Sequence, residues 1–165
     1  LVDFSSLDTG NWEYLAESGI TADNVLGLGE GNYRVTVSYS DATDAADSTS
    51  SISLSFDQDL GDRVGAYFRY ATARDTFRAF DSRMAMGLQF KRPLGFSNDR
   101  IGIGYWWGDP TDNALRSESG LDFFWKLQIA RFLEVSAGVQ MVFDPAFDTT
   151  EDTATLAQAR LRLVF

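Results

Sequence analysis

The sequence predicts an all-β protein, a transmembrane antiparallel up-and-down β-barrel, and three observations carry that expectation. Apolar and polar residues alternate along most of the chain, the connections between alternating segments are sorted by length, and aromatic residues gather at segment ends on the apolar parity. Period-2 alternation says that one face of each strand is buried. Alternating short and long connections and two aromatic girdles are the marks of a barrel with one face in lipid.

Nine stretches read as strands, at roughly 11–18, 32–40, 51–58, 62–72, 81–91, 99–108, 119–129, 133–143 and 153–165. The first opens the series. In the second, Tyr33, Val35, Val37 and Tyr39 oppose Arg34, Thr36 and Ser38, and in the third Ile52, Leu54 and Phe56 oppose Ser53, Ser55 and Asp57. The fourth sets Tyr70 against Gly65, Tyr67 and Arg69. The fifth sets Met84, Met86, Leu88 and Phe90 against Arg83, Gly87 and Gln89. The sixth and seventh place Gly102, Gly104 and Trp106, then Asp122, Phe124 and Lys126, on the polar parity. In the eighth, Val135, Val139, Met141 and Phe143 oppose Glu134, Ser136 and Gln140; in the last, Ala157, Ala159, Leu161 and Leu163 interleave with Gln158, Arg160 and Arg162 before the terminal Phe165. No long stretch shows the 3.6-residue spacing of a helix.

Counting back from the C-terminus, the connections 144–152, 109–118, 73–80 and 41–50 read as long, and 130–132, 92–98 and 59–61 as short or tight. With the C-terminus on the periplasmic side of a bacterial outer membrane, Tyr33, Phe56, Phe90 and Phe165 fall at the periplasmic interface and Tyr39, Tyr70, Trp107 and Phe143 at the outer one.

Composition narrows the function classes. Fourteen basic and 24 acidic residues give a net charge of −10, which argues against a nucleic-acid partner. With no Cys and no His, thiol chemistry, disulfides, Ser–His partnerships and the commonest general base are all excluded. A glycosidase-like carboxylate pair such as Asp57/Asp59 is better read as solvated turn acids. The chain reads as no enzyme and as needing no cofactor. The 165 residues, beginning at Leu1 without Met or signal peptide, suit one β-barrel domain, as a processed chain or a fragment.

Four stretches resemble the carbohydrate-selective porin family of the OprB type, in its C-terminal half. They are Gly31-Asn-Tyr-Arg34, Asn98-Asp-Arg-Ile-Gly-Ile-Gly-Tyr105, Glu118 through Trp125, and Gln140-Met-Val-Phe-Asp-Pro145 followed by Leu161-Arg-Leu-Val-Phe165. Asp144 stands where the family often has Asn. The resemblance implies a barrel of about sixteen strands, of which this chain supplies eight or nine, and passive diffusion of sugars and other small polar solutes through a water-filled lumen. The alternative is a small self-closed eight-stranded barrel with a structural or adhesive role and no channel.

The polar parity supplies the candidate solute-contacting residues: Arg34, Tyr67, Arg69, Arg83, Trp106, Asp122, Lys126, Glu134, Gln140, Arg160 and Arg162, with Arg63 and Lys91 on the same wall. Arginines there either hydrogen-bond solute hydroxyls or pair with acids across the lumen. Tyr67, Trp106 and Phe124 either stack on sugar rings or pack beneath an infolded loop. Gly65, Gly87, Gly102, Gly104 and Gly138 share the inward parity and leave space in the lumen, or else mark strand bends. The loop acids Asp41, Asp44, Asp47, Asp144, Asp148, Glu151 and Asp152 are solvated, or bridge divalent cations to lipopolysaccharide. The expected partners are outer-membrane lipid, lipopolysaccharide and small carbohydrates. The sequence leaves open which sugar passes and whether barrels assemble as a homo-oligomer.

Overall fold

The fold is one nine-stranded antiparallel sheet in strict sequence order, seen in a computed structural model that describes residues 12–42, 47–74, 79–148 and 150–163. Its strands are β1 (Glu13–Ala22), β2 (Gly31–Ser40), β3 (Thr49–Leu60), β4 (Val64–Arg74), β5 (Phe80–Lys91), β6 (Arg100–Pro110), β7 (Glu118–Ala130), β8 (Leu133–Phe143) and β9 (Thr153–Leu163). All nine predicted segments are strands, and the described residues contain no helix long and apolar enough to cross a membrane, which says nothing about crossing with strands. At 10 to 13 residues, the strands have the length that a tilted β-strand needs to span a bilayer.

Two differences from the sequence reading concern boundaries. The first strand runs on to Ala22, four residues beyond its predicted end, and β3 is longer than predicted at both ends. The sorting of connections by length weakens as a result. The link 92–99, expected to be short, is longer than 111–117, expected to be long. Cross-strand pairing continues past the clearest alternation, through Gly19 to Ala22 and through Thr49 and Ser50, so alternation alone underestimates strand length. Arg63, expected on the polar wall, lies instead in the exposed 61–63 turn. Phe165 and Asp44 lie outside the described residues.

Register defines two faces of opposite chemistry. One row runs Arg34, Ser55, Arg69, Ala85, Trp106, Gly120 across β2 to β7; the next, offset by one residue, runs Tyr33, Phe56, Phe68, Met86, Tyr105, Leu121, Met141. In β2 to β8, every large apolar side chain that is highly exposed, from Val35, Val37 and Ile52 through Phe123, Val139 and Met141, belongs to the second face. The first face is concave: Phe80 of β5 meets Phe147, beyond β8, with ring centroids 5.9 Å apart. Among the described residues the chain has almost no interior of its own, Trp106 and Ala146 being its buried apolar residues.

The sheet is open. Each strand contacts only its sequence neighbours, and β1 and β9 do not meet among the described residues. The self-closed small barrel is therefore not what this sheet forms. Strand parity gives the reason. Nine strands leave β1 and β9 running in the same direction, so joining them would create a parallel seam. Antiparallel closure of this sheet needs an odd number of further strands.

Candidate functional site

The concave face carries the polar parity of the strands, and several of its charges are paired locally. The Asp57 carboxylate accepts a hydrogen bond from Arg69 Nη2 at 2.7 Å and lies 4.0 Å from Arg34 Nη2. Lys91 Nζ donates to Asp59 Oδ1 at 2.5 Å, and Lys126 Nζ lies 3.0 Å from Glu134 Oε2. Gln140 hydrogen-bonds Asp122 one strand away. Each pair is partly solvated, so it serves mainly to fix side-chain direction. Asp57 and Asp59, considered as catalytic carboxylates, are both held by cations.

The inward aromatics are seated on glycines. Tyr67 pairs with Gly87 across β4 and β5, and Gly87 with Gly104 across β5 and β6. A Cβ added at Gly87 would lie 2.6 Å from the Tyr67 ring, and one at Gly104 would lie 2.5 Å from its hydroxyl. Phe124 lies over its partner Gly102, and Trp106 over Gly120, where an added Cβ would come within 2.6 Å of the indole. These glycines do not open free space in the lumen. They let three large rings lie flat along the wall, close to the backbone, as only a residue without Cβ allows.

Arg83 stacks on the rings of Phe80 and Trp106, at 4.8 and 5.5 Å from their centroids, and Arg69 lies 5.5 Å from that of Tyr67. Above this cluster the 144–152 connection folds inward. Ala146 is fully buried and its N–H donates to Glu118 Oε2 at 3.0 Å. Arg116 holds the loop: its guanidinium lies 3.4 Å from Asp144 and 3.2 Å from Asp152 and donates to the carbonyls of Asp148 and Glu151. Trp106, 9% exposed, is thus wall packing in the half of the sheet that this loop covers. Tyr67 and Phe124 remain on an open groove of about 500 Å³, together with Asp57, Asp59, Arg69, Gln89 and Lys91. Arg160 and Arg162 project from the edge strand β9 on the same face as Glu134, without hydrogen bonds or ion pairs among the described residues.

Comparison with known proteins settles the architecture. The chain is similar to the high-pH structure of Pseudomonas putida OprB, with a TM-score of 0.74 at 16% sequence identity. The fold is OprB-like. The alignment covers 92% of this chain and 48% of OprB, so the chain spans about half the length of that structure. No family model and no curated protein matches the sequence.

On this OprB-like fold, the convex face carries rows of aromatic side chains. Tyr14 and Tyr39 lie 6.4 Å apart near one end of β2, while Tyr33, Phe56 and Phe68 form a ladder at 5.8 and 6.1 Å near its other end. Tyr70, Trp107 and Phe143 fall on a single row, and Phe90 shares one with Trp125. The sequence reading missed Phe68 and Trp125. Trp125 has the apolar parity of Phe123, so position alone marks it. Its Nε1 donates to Asp99 Oδ1 at 2.9 Å, and the fully buried Asp99 also accepts from Leu94 N at 2.8 Å. The stretch Asn98 to Tyr105 thereby acquires a physical meaning: Asp99 fastens the 92–99 turn, while Gly102 and Gly104 receive Phe124 and Tyr67. The described residues hold no cluster of acids arranged to take a metal ion.

Proposed function

We propose that this chain forms part of the wall of a bacterial outer-membrane porin that lets sugars and other small polar solutes diffuse through a water-filled lumen. The observation that carries the reading is the segregation of chemistry across the sheet. Every highly exposed large apolar side chain of β2 to β8 lies on the convex face, and the ion pairs and the groove lie on the concave one. In water such an apolar surface is an aggregation hazard; against lipid it is the surface a barrel requires. Passive diffusion uses no turnover and no cofactor, in keeping with a wall built from fixed ion pairs.

In this reading the end of the sheet that carries 41–48, 75–79, 111–117 and 144–152 faces outward, toward lipopolysaccharide. The C-terminal end of β9 faces the periplasm. The infolded 144–152 loop narrows the outer half of the passage, and the groove with Tyr67 and Phe124 lies beneath it. There, a ring face for the apolar side of a sugar stands beside Asp57, Arg69 and Gln89 for its hydroxyls. The open sheet with parallel-running edges favours a wide barrel completed by further strands over a small closed one.

The test is liposome swelling by the full-length protein. Neutral sugars should enter, with a size cut-off, and a Tyr67→Ala/Phe124→Ala double variant should slow sugar entry while leaving that of a small amino acid little changed. Liposomes that admit no solute would refute the channel. Equal slowing of both solutes would refute the sugar-facing role of the rings.

A further inference from the structure

Five of the chain's 14 basic residues fall on two neighbouring rows of the concave wall, toward the end where β9 terminates. One row runs Lys91, Arg100, Lys126, Ser136, Arg160 across β5 to β9, and the adjoining one pairs Glu134 with Arg162. Neighbouring strands lie ~4.8 Å apart, so Lys126 and Arg160 flank the Ser136 hydroxyl at about 10 Å from each other.

The use of these cations is uneven. Lys91 is taken by Asp59, and Arg100 donates to the carbonyls of Ser97 and Asp99 at 3.4 and 2.8 Å. Lys126 has Glu134 on one side and is 40% exposed. Arg160, Arg162 and Ser136 make no hydrogen bond or ion pair among the described residues. Among the described residues Glu134 is thus the single carboxylate set against Lys126, Arg160 and Arg162, leaving two positive charges in excess on these rows. Ammonium, hydroxyl and guanidinium donors set side by side on one row of three adjacent strands match a tetrahedral or planar oxyanion, and the guanidinium fork suits it best.

We propose that Lys126, Ser136 and Arg160, supported by Arg162, form an oxyanion seat on the periplasmic half of the lumen wall, which takes the phosphate or carboxylate group of an anionic solute. The seat rests on the porin reading for its place in a lumen, but not for its chemistry.

The test uses full-length protein in detergent and inorganic phosphate as probe. Calorimetric titration at low ionic strength should show phosphate binding, weakened about tenfold or more in Lys126→Gln/Arg160→Gln and unchanged in Arg63→Gln. Acetate in place of phosphate separates a seat that needs a tetrahedral anion from one that takes either. Heat-modifiable migration on gels confirms that each variant has folded. No phosphate binding by the wild type, or equal binding by the double variant, overturns the seat. Bilayer conductance in potassium chloride reads the porin assignment separately. A conducting pore without phosphate binding overturns only the seat; phosphate binding by a protein that never conducts supports the seat and overturns the channel.

Discussion

Trp125 and Asp99 sit 26 residues apart in sequence and meet at one turn, and the 2.9 Å bond between them shows what single residues contribute to this wall. Asp99→Ala would strand the Trp125 indole N–H and the Leu94 amide together. Unfolding from lipid vesicles by urea should show a loss of about 1–3 kcal/mol, whereas no loss would mean that water satisfies both donors. Gly120→Val probes the other residue-scale device. The added side chain would strike the Trp106 indole, costing about 1–3 kcal/mol and red-shifting tryptophan emission as the ring leaves the wall. An unchanged spectrum and midpoint would contradict the packing of Trp106 against Gly120. Parity alone identified Tyr67, Trp106 and Phe124 as inward. It did not show that the inward glycines were their cross-strand partners, because register is a long-range property that no local pattern contains.

At the scale of elements, strands were legible and connections were not. Alternation located all nine strands, since each must offer one face to an apolar and one to a polar environment. Loop length misled, because the strands continue into residues that look like loop. The infolding of 144–152 depends on Arg116, which lies in a different connection and gave no sequence signal. Removing that cation as Arg116→Ala should release the loop, and protease cleavage within 144–152 of reconstituted protein should accelerate while the strands stay protected. Unchanged cleavage would mean the apolar contact of Phe147 with Phe80 suffices. Acid should act in the same direction. The Asp148 carboxyl is held below the usual carboxylate range chiefly by the Thr150 hydroxyl and amide, with a smaller contribution from Arg116. A depressed folded-state value means that its contribution is complete above the ordinary carboxylate range and is lost as pH falls through the lower folded value. Pepsin sensitivity of the loop should therefore rise steeply only below about pH 4, and Asp148→Asn should flatten that dependence. A loop equally labile at pH 5 would contradict this.

For the molecule as a whole, the two faces and the open edges carry the proposed function. The sequence identified the faces through alternation and the aromatic rows, and it placed Arg34, Arg69, Lys126 and Glu134 on the wall where the register has them. It did not distinguish an open from a closed sheet, because closure depends on strand number and direction rather than on the chemistry of any segment. In the proposed porin setting, edge strands with unpaired backbone groups cannot face lipid, and the parity of nine strands makes an odd number of additional ones the antiparallel solution. Single-channel recording from the full-length protein in planar bilayers tests the central claim most directly. The account predicts discrete, long-lived conductance steps that neutral sugars reduce in a concentration-dependent way. Inserted, heat-modifiable protein that gives no conductance, or steps that sugars leave untouched at every concentration, would contradict it.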